Sequence, residues 1–309
     1  MNYLEARSHL LTEQVNPNSE NLDLLSNEEI VDLFNREDAK TIEAIAAARL
    51  SLAKAIELTA AALKKGGRLF YIGAGTSGRL GVLDAAECPP TFCTPPEMVR
   101  GIIAGGEQAL VKSSENLEDR SSEGAAAIEA NKINKLDIVI GITAGGTTPY
   151  VRGALKRARE IKATTIFISC VPTTQVKIDV DLDIRLLTGA ELLAGSTRLK
   201  AGTATKMALN IISTGTMIRL GKVYGNRMVD VAITNNKLRD RALNIIEDLT
   251  ELNRERASEL LARSGGAIKL ALLMHWRQLD RLSASKILEQ NQNNLRTALD
   301  KNNSNNQNV

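Results

Sequence analysis

The sequence contains few histidine, cysteine and aromatic residues, and each scarcity excludes a class of function. Of its 309 residues, two are histidine, three are cysteine and 3% are aromatic. Two histidines, with three cysteines that lack ligand spacing, exclude a His-rich metal site and also the nucleophile triads that need a histidine. The low aromatic content argues against platforms that stack nucleic-acid bases. Carboxylates, hydroxyls, cations and backbone N–H groups therefore remain to carry any chemistry.

The chain also lacks a strong net charge and a long apolar run. Its net charge is +3 and its 39 basic residues are spread along the sequence, which argues against a nucleic-acid partner. No apolar run approaches the ~20 residues that span a bilayer. The first residues lack the basic and apolar regions of a signal peptide. We therefore expect a cytoplasmic protein without a membrane partner.

Apolar runs that alternate with helical segments predict an α/β fold. The candidate strands are short and mostly apolar, which is typical of a sheet covered on both faces. They comprise residues 68–72, 98–104, 136–142, 164–169 and 182–187. Segments such as 107–131 and 147–160 are long enough for crossover helices between parallel strands. The prediction is a three-layer sandwich with a five-stranded, mainly parallel sheet, one face of which is covered by a helix at 201–220.

The remaining segments predict a second, helical domain and an irregular arm and tail. The N-terminal region at 1–37 contains a polar arm and a short helix at 29–36, and a long helix follows from about 38 to 65. The sheet domain extends over 38–237 and a small helical bundle over 238–298. Its predicted helices are 239–251, 253–263, 266–279 and 283–291. The low-complexity tail at 299–309 is predicted to be disordered.

The most informative pattern is a strand, a Gly/Ser/Thr loop and a helix start. The loop contains Gly73, Gly75, Thr76, Ser77, Gly78 and Arg79. Its glycines match the spacing G-x-G-x-x-G, but no acidic residue follows at the end of the next strand, and no Gly-Lys-Ser/Thr completes a P-loop. N–H groups and the helix dipole favour an anion at such a helix start. Two added hydroxyls favour the phosphate of a small molecule, although an ordinary βα turn has the same composition.

A second turn of the same kind follows the candidate strand at 136–142. It contains Thr147 and Thr148 and leads into a helix. Two such turns in one domain predict a crevice at the carboxyl ends of parallel strands, where open α/β sheets bind ligands.

Two carboxylates and a third polar helix start are candidate functional groups. Glu87 is predicted to end the helix that the first loop begins, just before Cys88-Pro89-Pro90, and is either a surface residue or a general acid or base. By its local pattern, Glu118 belongs to a solvated face. The third helix start contains Glu191, Ser196, Arg198 and Lys200. Because cations oppose the dipole at a helix start, an anion nearby would explain them.

Several blocks together resemble the family of N-acetylmuramic acid 6-phosphate etherases. They read GAGTSGRLG at 73–81, DAAECPPT at 84–91, AGGE at 104–107, GSTRLKAGTA at 195–204 and GKVYGN at 221–226. The blocks run in the order of that family over roughly residues 8–298. The resemblance implies a sugar-isomerase (SIS) type α/β domain, a helical C-terminal region, a homodimer, and no metal or organic cofactor.

The resemblance also implies a reaction and two proton-transfer groups. The substrate would be N-acetylmuramic acid 6-phosphate, and the products N-acetylglucosamine 6-phosphate and D-lactate. By the match of their motifs, Glu87 corresponds to the proton donor of the family and Glu118 to its second active-site residue. Glu87 lies nine residues after Gly78, which is roughly 13 Å along a straight helix. This distance exceeds the reach from the 6-phosphate of a hexose to its own C3. Either the helix bends back, or the glutamate and the phosphate loop that serve one sugar come from different subunits.

One block departs from the family, and two other functions remain open. Family members often carry Ala-Ser-Gly-Arg-Thr-Pro-Tyr at the second loop, where this chain has AGGTTPY at 144–150, without that hydroxyl and guanidinium. A non-catalytic sugar-phosphate sensor would use the same fold, although the glucokinase regulators of this kind carry two such domains. An aldose–ketose isomerase would share the enolisation at C2 but release no lactate.

Overall fold

The computed structural model describes residues 7–112 and 117–300 of the chain. It divides into two compact units: one comprises Met1–Ala86 and Pro96–Ser213, and the other comprises Glu87–Pro95 and Thr214–Val309. The tail for which disorder is predicted lies, from residue 301 onward, outside the described residues. No helix in the two described ranges is long and apolar enough to cross a membrane.

The first unit is built on a parallel sheet with intervening helices. Three short 3₁₀ turns, Leu11–Glu13, Pro17–Ser19 and Leu22–Leu24, precede the first helix. The helices and strands that follow are α1 (Asn27–Ala47), α2 (Arg49–Lys64), β1 (Leu69–Gly73), α3 (Gly75–Phe92), β2 (Val99–Ile103), α4 (Gln108–Val111), α5 (Ser121–Ala130), β3 (Ile138–Ile142), α6 (Pro149–Glu160), β4 (Thr164–Ser169), β5 (Leu182–Arg185) and α7 (Lys200–Arg219).

The sheet has five strands in the order β2-β1-β3-β4-β5, and all four pairings are parallel. The predicted three-layer α/β fold is confirmed. The limits of β4 match the predicted ones, and those of the other four strands differ by one or two residues. β1 and β3 pair centrally, with Gly73 opposite Ile142 at their carboxyl ends. The order of the strands reverses direction between β1 and β3, which makes this pair the topological switch point of the sheet.

Helices cover both faces of the sheet, and glycines allow two of them to approach closely. A Cβ on Gly81 of α3 would lie 2.7 Å from the Cβ of Tyr71, so α3 packs on the face of β1 that carries Tyr71. A Cβ on Gly141 of β3 would lie 2.6 Å from the Leu155 side chain of α6, on the opposite face. Phe70 and the buried side of α6 share one hydrophobic cluster. Close helix–strand contact on both faces fixes the loops at the strand ends.

The first two helices differ from the prediction, because their break comes later in the chain. The prediction of a short helix at 29–36 and a long helix from about 38 to 65 is wrong. In the structure α1 continues to Ala47, and the break between the two helices lies at Ala48. Ser26 caps α1 in a capping box with Glu29, as its sequence indicates. Glu37 and Thr41 face the protein interior on α1. Their burial keeps the helix intact across the expected boundary.

The second unit is a bundle of helices around one buried helix. It contains a two-stranded hairpin, β6 (Val223–Tyr224) and β7 (Arg227–Met228), which the sequence did not predict. Its helices are α8 (Asn236–Thr250), α9 (Arg254–Arg263), α10 (Ile268–Arg277), α11 (Arg281–Gln290) and α12 (Leu295–Leu299). The four expected helices are present and α12 is additional. Residues 268–274 of α10 are all buried, and Lys269 among them donates to Asp230 at 2.7 Å.

Candidate functional site

The two Gly/Thr loops that follow β1 and β3 line a single cavity of about 420 Å³ in the first unit. Its lining is mainly polar and comes from three sources. These are the loops (Ala74, Gly75, Thr76, Ser77, Arg79, Thr143, Ala144, Gly145, Thr147, Thr148), the N-terminal arm (Arg7, Leu10, Glu13), and the residues Glu118, Gly195 and Thr197. The crevice expected at the carboxyl ends of parallel strands is confirmed. It lies at the switch point, where open α/β sheets hold ligands.

The first loop is a tight turn that presents the start of α3 to the cavity. Gly75 has a φ of +52°, a value that few side chains tolerate. A Cβ on Gly73 would lie 2.6 Å from the Gly78 nitrogen, so only glycine permits this contact between strand and helix. The first N–H groups of a helix have no partner within it. Together with the Thr76 and Ser77 hydroxyls at the cavity, they form an arrangement suited to a phosphate group.

Asp84 fixes α3 one turn and a half beyond this loop. Its carboxylate accepts hydrogen bonds from the Tyr71 hydroxyl of β1 at 2.9 Å and from the Ser213 hydroxyl of α7 at 3.1 Å. Burial raises the pKa of the Asp84 carboxyl above its ordinary value, although the same hydrogen bonds act in the opposite direction. Asp84 stands in one of the family blocks, but sequence analysis assigned it no role, because its partner Ser213 is 129 residues away.

The second loop orders the side of the cavity that contains Glu118. The hydroxyls of Thr143 and Thr148 are hydrogen-bonded to each other at 2.8 Å across the loop. At the start of α6, the N–H of Tyr150 donates to the Glu118 carbonyl at 2.9 Å. Leu117 packs against the buried cluster of the sheet and α6. These contacts hold Glu118 among the residues that line the cavity, although its local pattern had indicated a solvated face.

The N-terminal arm supplies cavity residues that sequence reasoning missed. Leu10 is 1% exposed and packs with Val171 and Val176. The amide of Gln175 holds the backbone on both sides of it, because it accepts from the Leu11 N–H at 2.9 Å and donates to the His9 carbonyl at 2.8 Å. This anchor carries Arg7 and Glu13 to the cavity. Sequence analysis had identified only a polar arm in this region, without its contacts.

Glu87 is exposed and is not among the residues that line this cavity. The expectation that it ends its helix is wrong. The helix α3 continues to Phe92 with Pro89 and Pro90 inside it, and the Cys93 N–H donates to the Pro89 carbonyl at 2.9 Å. Each proline removes one helical hydrogen bond but does not prevent the turn that follows. Glu87 therefore lies before the last turn of α3, the turn in which the helix dipole would disfavour its negative charge.

The third helix start has a different arrangement from that of the two loops. Glu191 is fully buried, and its carboxylate accepts from the Lys200 and Ala201 N–H groups at 3.0 and 2.9 Å, which caps α7. The Lys200 ammonium is 1% exposed and donates to Glu37 at 2.6 Å. The anion that this cation implied is thus present as a carboxylate of the chain itself. Ser196 is half-buried and Arg198 is exposed, and neither is among the residues that line the cavity.

Glu37 is the centre of a buried polar network that ties the arm to α1 and α7. Burial alone would raise its pKa, but hydrogen bonds from Lys200, Lys40, Asn18 and Asn16 outweigh burial and lower the pKa to about 2. Because the folded state depresses this pKa, the resulting stability is present above about pH 4.5 and is lost as the pH falls towards 2.

Replacement of Lys200 by methionine is expected to destabilise the first unit by about 3–5 kcal/mol, because Glu37 would keep a buried charge without its buried partner. The measurement is the free energy of unfolding in urea. Lys40→Met is the matched control, since Lys40 contacts the same carboxylate but is 43% exposed, and it should cost less than about 1 kcal/mol. Equal losses in the two variants would contradict the assignment of Lys200 as the partner that matters.

Two family descriptions match separate parts of the chain. Residues 51–159 match the N-terminal SIS domain of glucokinase regulatory protein. Residues 225–269 match the C-terminal lid domain of the same protein. Each match covers less than half of the chain, so neither describes it as a whole.

Full-length relatives are far more similar. The chain is 68% identical to the N-acetylmuramic acid 6-phosphate etherase of Gloeothece citriformis, over 97% of this chain and 98% of that protein. It is 67% identical to the protein of the same name from Crocosphaera subtropica, with the same coverage. Among solved structures, a phosphoheptose isomerase from Francisella tularensis is 18% identical, with a TM-score of 0.45 over 62% of this chain and 99% of that one.

Proposed function

Because the chain belongs to the N-acetylmuramic acid 6-phosphate etherase family, we propose that it cleaves the D-lactyl ether of N-acetylmuramic acid 6-phosphate and yields N-acetylglucosamine 6-phosphate and D-lactate. The observation that carries the proposal is the cavity at the switch point, which combines a phosphate-type helix start with a carboxylate, Glu118. The enzyme is thus a carbon–oxygen lyase.

The chemistry is an elimination followed by a hydration. In the open form of the sugar, the aldehyde at C1 acidifies the hydrogen on C2. A base removes this hydrogen, and an acid protonates the ether oxygen as its bond to C3 breaks and lactate leaves. Water then adds to C3 of the unsaturated aldehyde. The steps need two groups that transfer protons, and each such group contributes roughly 10²–10⁴-fold to a rate.

We assign the proton transfers to Glu118 and Glu87 and the phosphate to the first loop. Support for Glu118 comes from its place among the cavity residues beside Thr76, Ser77 and Thr148. Support for Glu87 comes from its motif alone. The second loop lacks the serine and arginine that family members often carry, but Thr147 and Thr148 contribute hydroxyls to the cavity. The phosphate can therefore be held by hydroxyls and N–H groups from two loops.

Release of D-lactate is the experiment that tests the function. The purified protein is incubated with N-acetylmuramic acid 6-phosphate, and D-lactate is measured with a stereospecific dehydrogenase. An etherase releases one lactate for each N-acetylglucosamine 6-phosphate formed. A sugar-phosphate sensor would bind the compound without releasing lactate, and an aldose–ketose isomerase would convert a sugar 6-phosphate without losing the ether. Either result would overturn the proposal.

A homodimer with shared active sites is part of the proposal. Its support is the spacing between Gly78 and Glu87 along one helix, and a two-fold dimer would contain two equivalent shared sites. The proposed location in the cytoplasm stays a prediction.

Mixed dimers are expected to recover activity. A Glu87→Gln chain and a Ser77→Asp chain, each inactive alone, are dissociated together and reassociated. With shared sites, one of the two sites in a mixed dimer carries both intact groups, so about a quarter of the wild-type rate should return after random pairing. The rate of lactate release is the measurement, and each variant reassociated with itself is the control. Mixed dimers that form but stay inactive would show that each chain uses its own Glu87 with its own loop.

A further inference from the structure

Among the described residues that line the cavity, the cations are Arg7 and Arg79. Arg79 lies near the start of α3, two residues after Ser77, and its Nε donates to the Leu110 carbonyl at 3.1 Å. From this position, Arg79 belongs with the loop that is proposed to bind the phosphate. Arg7 belongs to the N-terminal arm, and neither the motifs nor the chemistry described so far gives it a role.

Arg7 shares the cavity with Glu118, the residue that we assign to proton transfer. Its Nη2 is 3.9 Å from Oδ1 of Asp119, the residue that follows Glu118. The two side chains of this ion pair are 51% and 66% exposed. A long, exposed pair of this kind contributes little free energy. The guanidinium can therefore exchange Asp119 for another carboxylate at small cost.

The arm holds Arg7 in place without restricting its side chain. The Arg7 carbonyl accepts from the Leu10 N–H at 2.9 Å, and Leu10 is buried. Further along, the Asn16 side chain donates to Glu37 at 2.8 Å and to the Ala190 carbonyl at 3.1 Å. The backbone of the arm is thus anchored on both sides of Glu13, whereas the Arg7 guanidinium remains half exposed.

The substrate of the proposed reaction carries two anionic groups, a phosphate on C6 and the carboxylate of the lactyl group. That carboxylate is bonded to the carbon that bears the ether oxygen, so it must lie close to the groups that act on C2 and C3. With the phosphate on the loop beside Arg79, we propose that Arg7 binds the lactyl carboxylate and determines the preference for the lactyl ether over the same sugar phosphate without it. This inference rests on the proposed function.

A comparison of two ligands tests the inference, because N-acetylglucosamine 6-phosphate keeps the phosphate but lacks the lactyl group. In Arg7→Gln, kcat/KM for N-acetylmuramic acid 6-phosphate should fall about 10- to 100-fold, the effect of one charge-assisted hydrogen-bond pair. The inhibition constant of N-acetylglucosamine 6-phosphate should change less than about twofold, since this product has no lactyl carboxylate for Arg7 to bind. Arg7→Lys should recover part of the loss, because it keeps the charge but not the bidentate geometry.

Two variants serve as controls. Lys135→Gln removes an exposed cation that does not line the cavity and should leave both constants unchanged. Arg79→Gln should weaken both ligands by similar factors. If Arg7→Gln weakens both ligands equally, or neither, the inference is overturned. Wild-type protein that releases no lactate would instead overturn the proposed function, so the two failures are distinguishable.

Discussion

Substitution of Glu87 by glutamine is expected to lower the rate of D-lactate release about 10²–10⁴-fold, the contribution of one acid–base group. The side chain keeps its shape but can no longer donate or accept the proton. Because Glu87 is exposed on α3, the change should leave folding intact. The loss should appear in kcat, since the carboxylate acts in the transition state and not in substrate binding.

The matched control is Glu43→Gln, which removes one exposed carboxylate from α1 in the same way. Its lactate release should stay within about twofold of the wild-type rate, as is usual for surface substitutions. Unfolding temperatures of both variants report whether the fold is intact. A folded Glu87→Gln protein with near-wild-type lactate release would remove Glu87 from the mechanism.

The substitution Ser77→Asp is expected to reduce the affinity for N-acetylglucosamine 6-phosphate by at least about 100-fold, because juxtaposed like charges cost several kcal/mol. The new carboxylate would lie at the start of α3, where the phosphate is proposed to bind. A negative charge in the first turn favours a helix, so the fold should survive. Titration calorimetry with this product measures the affinity without turnover.

Ser77→Asn separates charge from size, since asparagine has nearly the same shape as aspartate and no charge. Its affinity should fall less than about tenfold, the loss of roughly one neutral hydrogen bond. If Asp and Asn have the same effect, the loop does not hold an anion. If neither variant changes the affinity, the phosphate binds elsewhere.

Local sequence patterns were sufficient to predict the strands of the sheet and the two Gly/Thr loops. Short apolar runs are typical of strands in a sheet that is covered on both faces. Glycines followed by hydroxylated residues are typical of a tight turn between a strand and a helix. Residues 73–79 and 143–150 are therefore recognisable without a structure. The break between α1 and α2 was misplaced, because the burial of Glu37 depends on Lys200, which is far away in the sequence.

The end of helix α3 was also misplaced by a prediction that used only local sequence. The prolines at 89 and 90 predicted a helix end at Glu87, by a rule that considers only lost hydrogen bonds. The structure continues the helix to Phe92, where Cys88 and Phe92 are both buried. Burial of apolar side chains on one helical face provides a free energy that the local rule does not include.

The sequence by itself determined the fold class, the family and the two loops, because each depends on residues that are close together in the chain. Only the tertiary structure decided which distant residues share the cavity. It brought Glu118 to the loops through the Tyr150 N–H, gave Lys200 a buried partner in Glu37, and added Arg7 and Glu13 from the arm. These positions depend on packing between segments that are separated in the chain by many more residues than one helical turn or one strand, and no local periodicity encodes such contacts.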